Sequence, residues 1–169
     1  MLPVSKPVRR AGWMVRQLLV PVETRRPMQF VDLTDAIDAT VWEHGLADGT
    51  VVVQTRHTTT GLLVNEHEPL LLDDLTTMFE RLVPGDQPFA HDDFTRRVPD
   101  LGPAERRNGA AHARAALLRS SETLGVSGRR LALGRWQRLL FVEFDGPQPR
   151  QVALTLVGRR TRRQPPRRG

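Results

Sequence analysis

The chain has 169 residues, 39% of them apolar and 26% charged, with a formal net charge of +6 and no cysteine. That length suits one domain with a single buried core. The missing thiols exclude disulfides, thiolate nucleophiles and cysteine-ligated zinc, so a metal site must use histidine, carboxylate or amide oxygen.

The charge is unevenly placed. Six arginines lie in the tail RRTRRQPPRRG, and Lys6, Arg9 and Arg10 sit near the other end, with no acid in either segment. Residues 11 to 158 therefore hold 16 basic against 19 acidic residues, a net of −3. Two prolines among the tail arginines oppose a helix, so residues 1–12 are expected as a flexible basic start and 159–169 as a disordered tail. Nucleic acid is expected to bind only weakly, through those arginines. No run approaches the roughly 18 apolar residues of a membrane span, and the start MLPVSKPVRRAGW lacks the apolar core of a signal peptide. A cytoplasmic protein without a membrane partner is expected.

In chain order, WMVRQLLVPVET predicts an edge-type strand broken by Pro21. Leu33, Ile37 and Val41 recur at helical spacing, with Asp32 or Thr34 placed to cap the start and Gly45 to stop the end. Val51–Thr55 and Gly61–Asn65 predict two strands with His57 between them. Leu71, Leu72, Leu75, Met78, Phe79 and Leu82 form the apolar stripe of a second helix, started near Pro69 and stopped by Pro84 and Gly85. PGDQPFAHDDFTRRVPDLGPAERR, residues 84 to 107, has few apolar groups to hold it and predicts either disorder or a functional loop. Asn108–Leu118 is alanine-rich and helical. Strands are expected over Leu131–Leu133, Gln137–Phe144 and Gln151–Val157, the last with Val152, Leu154 and Leu156 on one face. Without a regular βαβ rhythm the whole reads as a single α+β domain, residues 13–158, with a largely antiparallel sheet.

The chemistry-bearing groups concentrate in three places. HTTTGLLVNE, His57 to Glu66, sets an imidazole and three hydroxyls ahead of an amide and a carboxylate. Thr58, Thr59 and Thr60 either serve β propensity or, with loop amides, grip an anion. Glu66 either orients a histidine or caps the next helix. His57, His91 and His112 fall at a strand end, in a polar loop and on a small-residue helix, from which they can converge as the three ligands of an open zinc site. The other reading is that they are surface or internally bonded histidines. His44, at a helix end, suits the helix dipole, and His67 suits solvent. GRWQRLLFVEFDGPQPR places Trp136 and Gln137 before a strand that ends in Glu143 and Asp145, followed by a turn and Arg150, which can hold phosphate bidentately.

The order HTTTGLLVNE, the helix bearing Asp73 and Asp74, VPGD, HDD, NGAAHARAALL and LALGRWQRLLFVEFDGP resembles the YjbQ-like family, described as secondary thiamine-phosphate synthases. The resemblance spans about residues 14 to 158. It implies an α+β domain of two packed, mostly antiparallel sheets with about three helices, assembled as a homotrimer. The family's histidines fall on His57, His91 and His112, its NE acid on Glu66, and its GTWQ motif on Trp136 and Gln137. Arg135 departs from the usual threonine, and RSSETLGVSG from the usual turn after the histidine helix. The implied reaction joins a pyrimidine-methyl diphosphate to a thiazole phosphate and releases pyrophosphate. In that reading His57, His91 and His112 hold a divalent zinc or magnesium ion, with His57, Glu66 and His112 catalytic. Thr58, Thr59, Thr60, Asn65, Asn108, Gln137 and Arg150 bind the phosphorylated metabolite. A trimeric protein that binds metal or a phosphometabolite without catalysis, or a metal-assisted hydrolase, are the alternatives.

Overall fold

A computed structural model describes residues 12–97 and 105–161. In chain order the elements are β1 (Trp13–Glu23), β2 (Gln29–Asp32), α1 (Thr34–His44), β3 (Leu46–Thr55), β4 (Thr60–Asn65) and α2 (Pro69–Leu82). A 3-10 turn (Ala90–Asp92) precedes α3 (Gly109–Ala115), followed by β5 (Ser121–Ser127), β6 (Arg130–Leu131), β7 (Arg138–Glu143) and β8 (Pro149–Arg160). The strands form a five-stranded sheet, β1-β8-β3-β5-β6, and a three-stranded sheet, β2-β7-β4. Every pairing is antiparallel, as the sequence predicts.

Hydrophobic patterning explains the layers. Val51, Val53, Leu154 and Leu156 of the large sheet pack with Leu62, Leu139 and Phe141 of the small one and with Ile37 and Val41 of α1. The opposite face of β7 gives Val142, and Phe144 follows it, to a second cluster with Phe79 of α2 and Ala111 and Ala115 of α3. β7 is thus covered on both faces, which is why its run LLFV is continuously apolar rather than alternating.

Helix ends follow local chemistry. Asp32 Oδ1 accepts from Thr34 N at 2.9 Å at the start of α1, and Gly45, at φ 69°, closes its end in the left-handed region that glycine adopts without strain. Glu68, not Glu66, caps α2, its carboxylate accepting from Leu70 N and Leu71 N with Pro69 in the first turn. The stripe on α2 is only partly used: Phe79 is buried, whereas Met78 and Leu82 face solvent.

Four expectations change. β1 runs through Pro21 unbroken, because an edge strand leaves some N–H groups without a partner and absorbs one proline. β3 begins at Leu46, five residues before the β-branched run, because it is zipped along β8. SETLGVS is a strand paired with β3, and α3 ends at Ala115; Leu124 and Val126 alone supply its apolar face. β8 extends to Arg160, with Arg159 ion-paired to Asp48, so the sheet continues past residue 158. The expectations for residues 1–11 and 162–169 lie outside the described residues.

Candidate functional site

The antiparallel pairing of β4 with β7 sets Thr60 opposite Glu143 and Asn65 opposite Arg138. A six-residue strand rises about 17 Å from first residue to last. The polar residues singled out in the sequence therefore divide between two ends of the small sheet.

At the first end, Glu143 is fully buried. Its carboxylate accepts from Arg150 Nε at 2.5 Å and Arg150 Nη2 at 2.8 Å, from Thr24 Oγ1 at 3.1 Å and from Asp145 N at 2.8 Å. Burial would raise the carboxyl pKa, but these donors and the guanidinium charge together hold it below its ordinary value. Arg150 also donates from Nη2 to Thr59 Oγ1 at 3.1 Å. Two expected phosphate binders are thereby committed to the interior, because a buried charge must be satisfied within the protein. Thr60 Oγ1 donates to the His57 carbonyl and shares a hydrogen bond with Thr55 Oγ1, so Thr58 is the one exposed hydroxyl of the three.

His57 is similarly engaged. Its Nε2 accepts from Gln151 N at 3.0 Å. A backbone N–H only donates, so Nε2 carries no proton and the neutral ring is protonated on Nδ1. Burial, with Arg150 nearby, pushes the imidazole pKa down, and Glu143 opposes this weakly.

Beyond Glu143 the strand end carries Asp145, whose Oδ2 accepts from Asn108 Nδ2 at 3.2 Å and lies 4.0 Å from Arg150 Nη2. Arg106 Nε stands 3.6 Å from Asp145 Oδ1. Since a carboxylate accepts only, Asn108 must present its amide nitrogen to Asp145, leaving Oδ1 buried and unpartnered. One helical turn on, His112 meets His91 of the 3-10 turn, ring centroids 4.6 Å apart. His91 Nε2 is the second buried unpartnered atom here. Burial lowers the His112 pKa, with His91 and Arg97 adding to the effect and Asp145 and Glu105 opposing it. Neutral imidazole therefore dominates at pH 7.

The second end carries Asn65, Glu66, Trp136 and Gln137. Asn65 Oδ1 accepts from Glu66 N, and Gln137 Oε1 from Gly134 N, closing a turn on which Trp136 is exposed beneath the Arg135 guanidinium. Arg138 pairs there with Asp32 and Asp35. Within one chain Glu66 does not reach the histidines it was expected to orient, because the register places the whole of β4 between them.

The expected three-histidine metal set is likewise incomplete in one chain. His91 and His112 come together, His57 Nε2 is occupied, and among the described residues no group of three histidines and carboxylates can hold a metal. An open zinc site uses three protein ligands, so the single-chain donor set does not fit the ion. Sequence reasoning noted Glu143, Asp145 and Asp92 but gave them no part in the site. The available signal was a glutamate closing the apolar run LLFV, since such a residue is almost never fully buried unless paired.

Comparison with known proteins agrees with this fold. Residues 19–159 match the family model described as UPF0047 protein YjbQ-like. A UPF0047 protein of Archaeoglobus fulgidus is 39% identical over 131 residues, covering 78% of this chain and 93% of the relative. One from Mycobacterium tuberculosis is 31% identical over 140 residues, covering 82% and 96%. The crystal structure of a protein from Aeropyrum pernix, titled as hypothetical, superposes with a TM-score of 0.74 at 33% identity over 85% of this chain and 98% of that one. A Sulfolobus solfataricus structure, titled as a protein of unknown function, gives 0.76 at 26% over 86% and 99%. With most of its length matched by the family model, the chain belongs to the UPF0047 YjbQ-like family.

Proposed function

We propose that the chain is an enzyme acting on a small phosphorylated metabolite at the pocket where His91 and His112 meet, and that thiamine-phosphate synthesis is its reaction. The observation that supports this is the pair of buried, unpartnered acceptor and imidazole atoms, Asn108 Oδ1 and His91 Nε2, beside His112. Buried polar atoms are rarely left without partners, and a ligand with complementary groups is one way to satisfy them.

In the proposed reaction the bond from the pyrimidine methylene carbon to the diphosphate oxygen breaks, its electron pair leaving on oxygen, while the thiazole nitrogen lone pair forms the new C–N bond. Departing negative charge is the chief demand. Arg106, 43% exposed and 3.6 Å from Asp145, is a guanidinium placed to meet it. Neutral His112 donates a hydrogen bond from its N–H, and Asp145 favours any proton it gains. A divalent ion would add charge neutralisation, but the described residues of one chain hold no three-ligand set for it.

The test is thiamine phosphate formation from the two phosphorylated precursors, with magnesium or zinc, by native protein and His112→Ala. The expected result is product from the native chain and at least a roughly 100-fold loss in the variant, the scale of general acid–base and positioning effects. No product from folded native protein overturns the synthase reading. In a second reading the chain binds a phosphometabolite at the same unpartnered atoms without turnover, because Arg150, Thr59 and Thr60 are committed to internal bonds and leave a departing diphosphate fewer donors. It predicts thermal stabilisation by pyrophosphate with no product.

A further inference from the structure

His91 lies on a stretch with little apolar anchorage, yet its ring touches His112. The reason is visible in α3. Arg114, 8% exposed, donates from Nε to the Val83 carbonyl at 3.0 Å, which fixes the start of the segment 83–92. Asp92 Oδ1 accepts from Gly109 N at 2.9 Å, which fixes its end. Gly109 and Arg114 are five residues apart, about 7.5 Å along a helix. One short helix thus pins both ends of a ten-residue segment, and the second pin is one residue from His91.

Gly109 has a separate steric role. A Cβ there would stand 2.5 Å from Phe89 Cβ and 2.8 Å from Phe89 Cγ. Only glycine lets Phe89 and the 3-10 turn close onto the first turn of α3. His112 follows three residues later, on the adjoining turn of the same helix. Bond and close approach act on the same two elements, and their joint consequence is the 4.6 Å separation of the rings.

We propose that Asp92 is the positioning residue of the His91–His112 pair, acting through its hydrogen bond to Gly109 N, with the bare Cα of Gly109 as the steric condition. Asp92 acts as an acceptor rather than as a charge, so an amide oxygen in its place does the same work. The effect on turnover rests on the function proposed above; the effect on the ring contact does not.

The experiment compares Asp92→Ala, Asp92→Asn and Gly109→Ala in the full chain, with thermal melts as the folding control. Ring-proton nuclear Overhauser contacts between His91 and His112 are the primary readout, and kcat and KM for thiamine phosphate formation the second. Loss of the ring contact is expected in Asp92→Ala and Gly109→Ala, and retention in Asp92→Asn. The kcat of Asp92→Ala is expected to fall roughly 10- to 100-fold, as misplacement of a reacting group does, with KM changed less and Asp92→Asn near native. An unchanged ring contact in folded Asp92→Ala overturns the proposal, as does an Asp92→Asn variant as damaged as Asp92→Ala. If Gly109→Ala does not fold, the two substitutions of the partly exposed Asp92 decide alone. A native protein without turnover refutes the enzyme reading, while the ring contact still decides this one.

Discussion

The two ends of the β2-β7-β4 sheet are built from the same strands and treat charge in opposite ways. At the Glu143 end, an ion pair with 0% and 8% side-chain exposure is held by hydroxyls and a backbone amide, and the next carboxylate along leads to the histidine pair. At the Arg138 end, the same kind of pairing, Arg138 with Asp32 and Asp35, is more open, with Arg138 34%, Asp32 17% and Asp35 86% exposed. An arginine–carboxylate motif in a sequence therefore says little until its depth is known. Buried, it becomes a rigid frame whose removal leaves an uncompensated charge; exposed, it is screened and replaceable.

The largest effect that would sharpen this contrast is the loss of one partner of the buried pair. Arg150→Ala is expected to lower stability by about 3–5 kcal/mol, read as a shift in urea midpoint with the slope unchanged. Replacing both partners together, Glu143→Leu with Arg150→Met, is expected to recover most of that loss, because no buried charge is then stranded. A double variant as unstable as the single one would mean that the frame acts by shape and not by charge.

A smaller effect concerns acid. His57 and His112 both have pKa values depressed chiefly by burial, below the ordinary 6.5. Between 6.5 and those lower values the unfolded chain binds more protons than the folded one, so stability rises with pH in that window. The contribution is whole above 6.5 and is lost as pH falls through the folded values. Urea midpoints from pH 7.5 down to 5 are expected to decline, and His57→Gln, which removes one of the groups, to decline less steeply. Glu143, depressed below its ordinary 4.5, adds a second loss only below that pH.

The smallest expected effect is at the exposed end. Arg138→Ala should cost about 1 kcal/mol, and part of that cost should disappear in 1 M salt because the pairing with the exposed Asp35 is solvent-screened. A loss comparable to that of Arg150→Ala would erase the distinction between the two ends.

Much of the architecture was legible residue by residue. The stripe Leu33, Ile37, Val41 with Gly45 behind it became α1, Pro69 to Leu82 became α2, and the alternation of Val152, Leu154 and Leu156 became the inward face of β8. Each of these elements carries its own periodicity or stop signal, so local physics sufficed. β5 was not legible, since SETLGVS has only two apolar residues and owes its extended form to pairing with β3. The site was half legible. His91, His112 and Asn108 do gather beside Asp145, whereas Glu66 and Gln137 lie a strand's length away from them.

By itself the sequence determined the secondary elements with strong periodicity, the antiparallel α+β class, the absence of thiol chemistry and the identity of the polar groups worth watching. These follow from side-chain chemistry and from contacts between near neighbours along the chain. Only the tertiary structure decided which of those groups are spent. Arg150 and Thr59 read as phosphate binders until depth shows Arg150 satisfying Glu143 across 7 residues of sequence and Thr59 accepting from Arg150 across 91. Asp92 reads as one acid in HDD until the chain brings Gly109 to it from 17 residues away. Hydrogen-bond satisfaction in a buried site is a property of long-range pairing, which no local pattern encodes.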